Sequence, residues 1–465
     1  MKHPPSTVSI VKMHAPRKEI YMRQAKGRHT NWRWACVWLT QWVFYGLPWL
    51  SWNDRQAVFF DFGARKFYLF GIVLWPQDFI YLALLLIICA YALFLLTTVA
   101  GRIWCGFACP QTVYTEIFMW IESKIEGTRS ARMRLDMQPW SLSKAARKSA
   151  KHVVWAAVAL WTGFTFVGYF TPIRTLATEV ALLALGPWQS FWILFYGFAT
   201  YGNAGWMREQ VCRYMCPYAR FQSAMFDSDS LIVSYDQTRG EPRGALDKQS
   251  AKTVSQGACI DCSLCVQVCP TGIDIRNGLQ YDCIGCAACV DACDSVMDKI
   301  GAPRGLVRFT TDNALKNDFS PKQIRQRLLR PRVLIYGVIL LAVVVTFFGS
   351  LLMRTPLKMD VIRDRGIIAR EVDNGVIENV YRLQITNAGE LAQRYRITVS
   401  GIAGIALTNL DEVELQGTES RAVPVTVRVA QGKGAQGSKK VTFTLTAVGD
   451  SSLRVTEKAS FFVPR

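Results

Sequence analysis

The stretch Cys259–Gly272 reads CIDCSLCVQVCPTG, with the spacing C-x2-C-x2-C-x3-C-P. Fourteen residues after Cys269 the spacing returns in CIGCAACVDAC, Cys283–Cys293. Three thiolates on such a tight loop wrap one iron–sulfur cube, and the fourth cysteine is carried on to ligate the neighbouring one. On that rule Cys259, Cys262, Cys265 and Cys293 hold one [4Fe-4S] cluster, and Cys283, Cys286, Cys289 and Cys269 hold the second. Small residues between the ligands (Ser263, Gly285, Ala287, Ala288) let backbone N–H groups approach the sulfides. Zinc takes separated C-x2-C pairs, one ion per four ligands, and fits this duplicated pattern poorly. Asp294 stands where the first run has Pro270, which is expected to loosen the second turn. Two adjacent clusters imply one-electron relay without naming a substrate.

Upstream lie two further cysteine pairs, in WCGFACPQT (Trp104–Thr112) and VCRYMCPYA (Val211–Ala219). Both read Cys-x-x-x-Cys-Pro and each follows an apolar run. Cys105, Cys109 and Pro110 return as Cys212, Cys216 and Pro217 at a constant offset of 107, with an aromatic residue at the same offset, Tyr114 and Phe221. This is an internal repeat of helical hairpin plus dithiol. If each pair is helical, its sulfurs share one face at i and i+4, and the proline marks a helix boundary. The chemistry open to such thiols is a soft metal such as Cu(I), a reversible disulfide, four ligands for a third cluster, or inert burial. Cys36 and Cys89 stand alone in apolar runs and read as packing residues.

Working outward, the 465 residues are 51% hydrophobic yet 19% charged, with a net charge of +19. Residues 356–465 contribute only +3 of it, so +16 falls in the first 355. Apolar runs of about 20 residues span a hydrocarbon core, and five qualify: about 34–52, 79–100, 153–172, 180–201 (interrupted by Gly186-Pro187) and 333–352. Phe67–Trp75 is apolar but short, and reads as an interfacial piece. The excess charge fits the positive-inside rule. Lys12, Arg17, Lys18, Arg23, Lys26, Arg28 and Arg33 precede the first span, and Arg129, Arg132, Arg134, Lys144, Arg147, Lys148 and Lys151 follow the second. Trp32, Trp34, Trp49 and Trp52 bracket the first span as an interfacial belt. That places residues 1–33, 101–152 and 202–332 in the cytoplasm and 353–465 outside, in a multi-pass protein of a bacterial inner membrane whose first span stays as an anchor. All 14 cysteines precede Asp294 in metal-ligand spacings, so they read as reduced and not as a disulfide framework. Scattered basic residues without a binding motif exclude a nucleic-acid partner. The histidines are His3, His14, His29 and His152; none falls in an expected span, which argues against a bis-His haem. No Walker or dinucleotide fingerprint occurs.

After Thr355 the pattern changes to period two, as in NVYRLQITNAGE (379–390), RYRITVSGI (394–402), RAVPVTVRVA (421–430) and KKVTFTLTAVG (439–449). About seven short strands suggest an immunoglobulin-like sandwich serving as a docking surface. The expected architecture is a basic N-terminus (1–33), membrane helices one to four (34–204), a segment 205–332 carrying the ferredoxin-like two-cluster insert at about 255–300, a last span (333–352) and the all-β domain (356–465).

With its WCGFACPQTVYTE and CRYMCPYARFQSAMFD motifs, ferredoxin insert, last span and β tail in this order, the chain resembles the CcoG/FixG/RdxA family of cytochrome c oxidase accessory proteins along nearly its whole length. The resemblance implies reduction of Cu(II) to Cu(I) for maturation of cbb3-type oxidase. It makes Cys105, Cys109, Cys212 and Cys216 the copper-reducing or copper-contacting thiols, resupplied by the clusters. The cofactors are then two [4Fe-4S] clusters, with copper as a further candidate. The partners are the membrane, the oxidase assembly machinery or copper chaperones, a cytoplasmic electron donor that the sequence does not name, and a second copy of the chain as a candidate. Two other readings stand beside it: a quinol-linked relay to a periplasmic reductase, similar to the NapH and NosR membrane ferredoxins, and a non-redox assembly scaffold.

Overall fold

A computed structural model describes residues 20–245, 256–363, 369–372, 375–430 and 436–464. Lys12, Arg17, Lys18, His3 and His14 lie outside them. The chain divides into two units: Met1–Gly46, Ile88–Gly168 and Ala177–Leu341 form one, and Leu47–Ile87, Tyr169–Leu176 and Ala342–Arg465 the other.

The helices run α1 (Arg28–Gly46), α2 (Phe79–Ala100), α3 (Ile103–Phe107), α4 (Pro110–Ile125), α5 (Arg129–Met137), α6 (Leu142–Val167), α7 (Ile173–Ala181), α8 (Pro187–Thr200) and α9 (Pro217–Met225). Two π-helical turns, Tyr201–Met207 and Val211–Met215, connect α8 to α9. Among the described residues three helices are long and apolar enough to cross a membrane: Pro76–Ala100, Leu142–Val167 and Pro331–Leu352. The expected count of five is therefore not reached by length and composition. The first stretch forms α1, which starts at Arg28 and stops at Gly46, before a 3-10 turn and a short strand. The fourth is cut where expected. α7 ends at Ala181, and α8 starts at Pro187 behind Gly186, whose N–H donates to Gln189 Oε1 at 2.8 Å. α8 is 14 residues long and continues without a break into the π-helical turn Tyr201–Met207.

The third stretch begins eleven residues earlier than its apolar run, because Ser141 caps α6 by accepting from the Lys144 N–H at 3.3 Å. The charged first turns of α6 then serve packing. Glu122 of α4 receives Arg132 at 3.0 Å, Arg208 at 3.1 Å and Lys151 at 3.5 Å; Lys151 also reaches the buried Glu126 at 2.8 Å, and Lys148 joins Glu126 to Asp136. Several basic residues counted above as topological signals are thus internal ion-pair partners. His152 lies within α6, not ahead of it, with Nδ1 2.9 Å from the Tyr201 hydroxyl. Higher up, Phe118 of α4 stacks on Trp155, whose Nε1 donates to the Phe118 carbonyl at 3.0 Å. α6 and α8 meet at Gly163, where a Cβ would sit 2.3 Å from the Ile193 carbonyl oxygen, the close approach that small residues permit.

In the second unit, Lys66–Leu69 and Ile72–Leu74 are strands of an antiparallel sheet with Val58–Asp61. The Phe67–Trp75 stretch is therefore sheet and not an interfacial piece: its branched and aromatic side chains alternate across a pleat. The C-terminal region contains β1 (Leu357–Arg363), β2 (Arg370–Val372), β3 (Val376–Asn387), β4 (Gln393–Ser400), β5 (Ile405–Leu407), β6 (Glu412–Leu415), β7 (Ser420–Val429), β8 (Gly437–Ala447) and β9 (Arg454–Val463). One antiparallel sheet has the order β5-β7-β3-β1 with β2 on β3, the other β6-β4-β8-β9. Inward residues alternate as the period-two reading requires. Tyr381, Leu383 and Ile385 face Tyr395, Ile397, Phe443 and Leu445 in one buried core. Glu378 is buried on the interior strand β3, held by Arg428 of β7 at 2.6 Å and by Arg370 of β2. The strands before α2 dock on this sandwich through Arg55–Glu390 at 2.6 Å and Lys66 donating to the Thr418 carbonyl at 2.7 Å.

Candidate electron-transfer site

The two ferredoxin runs fold alike because their backbones turn alike. Asp261 and Gly285, one residue before the second cysteine, both have positive φ, as do Ser263 and Ala287, one residue after it. Left-handed backbone is uncommon outside glycine, and its recurrence at equivalent positions turns the chain around each cysteine so that successive N–H groups face the sulfurs. Arg276 braces the first loop, pairing with Asp274 at 2.7 Å and with Asp261. Each run then enters a helix, Leu264–Gln267 or Ala288–Lys299. The expected loosening after Cys293 does not occur. Without a proline the helix continues through Asp294, whose carboxylate accepts from the Gly305 N–H at 2.9 Å.

The fourth cysteines cross over. Cys293 interacts electrostatically with Cys265 and Cys259, and Cys265 with Cys262. Cys269 interacts with Cys283, Cys286 and Cys289. Cys259, Cys262, Cys265 and Cys293 line a single small pocket of about 20 Å³, with Leu264, Val296, Met297 and Leu306 among its walls. Among the described residues no three His, Cys, Asp or Glu side chains converge closely enough for one metal ion. Four thiols from two duplicated runs around one pocket suit an iron–sulfur cube. Burial pushes the thiols of Cys283 and Cys293 up to about 12 and that of Cys265 to about 11. A bare site keeps them protonated, and only a bound cation makes their thiolates favourable.

The Cys-x-x-x-Cys-Pro pairs occupy equivalent places but are not single helical faces. Cys105 lies in α3 and Cys212 in the second π turn, whereas Cys109 and Cys216 are extended N-cap residues ahead of Pro110 and Pro217, the first residues of α4 and α9. The pairs nevertheless meet. Cys105 and Cys212 interact with each other, and both with Cys109 and Cys216. The Cys105 thiol donates to Gln222 of α9 at 3.5 Å. Burial raises Cys105 to about 11 and Cys212 to about 12, with the neighbouring thiols adding to the effect. Cys36 on α1 is half-buried and Cys89 on α2 is exposed, so neither is the buried packing residue that its apolar run suggested.

The Cys-x-x-x-Cys-Pro pairs also touch the ferredoxin fold. Cys105 packs on the cluster of Val268, Ile284, Cys286, Ala288 and Ala292. Gly106 lies against the Cys286 backbone, where a Cβ would be 2.8 Å from both N and Cα. The buried Arg102 ties the three loops together: it donates to the Ala219 carbonyl at 2.7 Å, to that of Cys283 at 3.4 Å and to that of Tyr281. Arg33 pairs with Glu116 at 2.8 Å and donates to the Gly106 carbonyl at 3.3 Å. Asp291, between two cluster cysteines, accepts from the N–H groups of His29 (3.1 Å) and Thr30 (2.7 Å) at the start of α1. Sequence reasoning missed Arg102, Arg276 and Asp291, and counted Arg33 only as a topological charge. The one available signal was the position of Arg102 three residues before Cys105.

Family models agree with this division. One described as a 4Fe-4S dicluster domain matches residues 207–312, one described as a 4Fe-4S binding domain matches 82–128, and one described as an IG-like fold at the C-terminal of FixG matches 347–464. Protein RdxA of Cereibacter sphaeroides is 39% identical over 89% of this chain and 87% of its own length. Nitrogen fixation protein FixG of Rhizobium meliloti is 36% identical over 98% of this chain and 96% of its own. Protein RdxB of Cereibacter sphaeroides is 38% identical over 85% of each. A crystal structure of a FixG-related protein from Vibrio parahaemolyticus aligns with 24% of this chain and 97% of its own, at 22% identity and a TM-score of 0.22. With two [4Fe-4S] binding regions, apolar helices able to span a bilayer and relatives matched along most of their length, the chain belongs to the FixG/RdxA family of membrane iron–sulfur electron-transfer proteins.

Proposed function

We propose that this protein reduces Cu(II) to Cu(I) at the membrane and so supplies cuprous ion for maturation of a cbb3-type oxidase. The observation that supports the reading is the unbroken succession of thiols. Cys265 interacts with Cys289 across the two ferredoxin groups, and Cys105 packs on the apolar cluster that contains Cys286. A [4Fe-4S] cluster in each ferredoxin group supplies one-electron storage when bound. The chain itself sets the order of the stations, excludes water from the inner ones and presents soft sulfur at the outer end. Each cupric ion takes one electron to become cuprous, and soft ligands favour Cu(I) over Cu(II).

In this reading the N-terminus and both ferredoxin groups face the cytoplasm of a bacterial inner membrane, where a reduced donor meets them. α1 and the α8 region add two spans to the three apolar ones, and the sandwich sits in the periplasm as the docking surface for oxidase assembly proteins or copper chaperones. The ligands are Cys259, Cys262, Cys265 and Cys293 for one cluster and Cys283, Cys286, Cys289 and Cys269 for the other. Cys105, Cys109, Cys212 and Cys216 form the exit.

The test is anaerobic Cu(II) reduction by the purified, pre-reduced full chain, read as Cu(I) with a specific chelator. Cu(I) matching the electrons stored is the expected result. Reduction of the protein by a quinol analogue without Cu(I) formation replaces this reading with a quinol-linked relay. Full support of oxidase maturation after loss of both ferredoxin clusters replaces it with a scaffold.

A further inference from the structure

We propose that the cavity walled by α4, α5, α6 and the first π turn holds the phosphate of an anionic phospholipid. The inference is independent of the copper reading and concerns how the chain is seated in its membrane.

The cavity has a volume of about 240 Å³, against about 20 Å³ for the pocket at the first ferredoxin run. One water needs roughly 10–15 Å³ on this measure, so the space admits a group of several heavy atoms. Arg132 of α5, Lys148 and Lys151 of α6, and Arg208 beyond the π turn line it, together with Glu122 and Asp136.

The charges around the cavity do not balance. Glu122 takes Arg132, Arg208 and Lys151. Glu126 takes Lys148 and Lys151. Asp136 takes Lys148 at 2.6 Å and the Tyr21 hydroxyl at 2.8 Å. Beside them the buried Lys144 donates to the Asp136 and Gln138 carbonyls at 3.0 and 2.6 Å and, among the described residues, meets no carboxylate. Five cations therefore face three carboxylates, and none of the four lining cations has a side chain more than 21% exposed. Buried charge without a counter-charge is costly, and this cluster is short of two negative charges. Arg132 Nε also has no hydrogen-bond partner among the described residues. The neighbouring sequence does not supply the missing charge. Residues 129–151 hold seven Lys/Arg and one Asp, and residues 1–19, ahead of Ile20 on the cavity wall, hold four Lys/Arg and one Glu.

Phosphate oxygens answer this demand, since Arg and Lys bind them through charge-assisted hydrogen bonds. The position of the cavity points to a lipid as their source. α6 is long enough to cross a bilayer, charged as far as Lys151 and apolar from Val153. The cavity lies at that boundary, where headgroups give way to acyl chains. Trp206, 56% exposed, forms part of its wall, and Val153 beside it on α6 is exposed as well. Indoles favour this level of a membrane, and basic pockets between membrane helices take anionic headgroups. Cardiolipin, with two phosphodiesters, supplies both missing charges, and phosphatidylglycerol supplies one. The site also adjoins the redox part of the chain: Arg208 lines the cavity, and its carbonyl receives Gln111, two residues after Cys109.

The full chain is purified in detergent and stripped of lipid. Its thermal unfolding is followed as cardiolipin, phosphatidylglycerol, phosphatidylcholine or inorganic phosphate is added. Cardiolipin should raise the midpoint at the lowest concentration and phosphatidylglycerol at a higher one, while phosphatidylcholine and inorganic phosphate leave it unchanged. Lys148→Gln and Lys151→Gln should each raise the cardiolipin concentration for half-effect at least about fivefold. Lys440→Gln, exposed on the sandwich, should not. Iron per chain reports on the folding of the variants. If they lose iron, a photo-crosslinkable cardiolipin analogue on the wild-type chain decides: label on residues 148–155 or 201–208 supports the proposal, and label only elsewhere overturns it. Equal responses to phosphatidylcholine and cardiolipin, or an unchanged cardiolipin response in both folded variants, also overturn it. An equal shift with inorganic phosphate alone assigns the cavity to free phosphate and overturns the lipid as its source.

Discussion

Gly106→Ala offers a direct test of how the membrane-edge pairs meet the ferredoxin fold. The added Cβ would lie 2.8 Å from Cys286 N and Cα and 2.9 Å from the Gly285 carbonyl carbon. Carbon atoms pack at about 3.5–4.0 Å, so the α3 turn and the Cys286 loop must separate by roughly 0.7–1.2 Å. The obstructing atoms are backbone, and the loop is further held by Arg102 through the Cys283 carbonyl, so no rotamer change absorbs the strain. Overpacking of this kind costs about 1–3 kcal/mol, offset by at most about 1 kcal/mol of helix propensity. The expected result is a destabilised chain that loses the iron of the cluster nearest α3. It is measured as thermal unfolding, iron per chain and EPR of the reduced protein. Gly337→Ala, with nothing within 4 Å of its Cβ, is the matched control and should retain its iron. Wild-type stability and iron in Gly106→Ala, or equal damage in both variants, would refute the described contact.

Arg102→Gln removes a buried cation beside Cys283. At an effective dielectric of about 20 and roughly 10 Å, one charge is worth about 1.7 kcal/mol, so the midpoint of the adjacent cluster should fall by about 70 mV in an EPR-monitored redox titration. Arg102→Lys should recover most of that shift, and an unchanged midpoint in both variants removes Arg102 from the site. Cys269→Ser should abolish the cluster of the second run while sparing that of the first, seen as loss of one of two EPR signals; loss of the first-run signal instead would contradict the crossover. Burial alone would raise the Glu378 carboxyl, but Arg428 and Arg370 outweigh it and hold it below the usual carboxylate range. Its contribution to the sandwich is then present above the unfolded value of about 4.3 and disappears as pH falls through the lowered folded value. Glu378→Gln should cost about 1–2 kcal/mol at neutral pH, since both arginines are partly exposed, and the deficit should vanish in acid. A pH-independent deficit in denaturant unfolding would contradict the ion-pair account.

The ferredoxin groups were legible because ligand spacing is a local property: the Cys259 and Cys283 runs carry their turn chemistry with them. The sandwich was legible for a similar reason, since alternation in 379–390 reports one buried face without a partner being known. What escaped depends on distant contacts. Lys148 and Lys151 look like topological charges until Glu122 and Glu126 are set opposite them, and that pairing extends α6 back to Ser141. Phe67–Trp75 offers nine apolar-rich residues that suit an interface or a strand equally, and only pairing with Val58–Asp61 decides. The helical reading of Cys-x-x-x-Cys-Pro failed at Cys109 and Cys216 because the proline begins a new helix, leaving the cysteine before it extended. Arg102 and Asp291 became visible only with carbonyls and N–H groups more than 100 residues away.

The hold of Asp291 on His29 and Thr30 joins positions separated by 262 and 261 residues, with the membrane-edge pairs lying between them in the chain. A growing polypeptide emerging from the ribosome therefore cannot close this contact with α1 until nearly two-thirds of it has been made. The start of α1 and the second ferredoxin run are therefore set together only late, by one buried carboxylate that reaches across most of the chain between them.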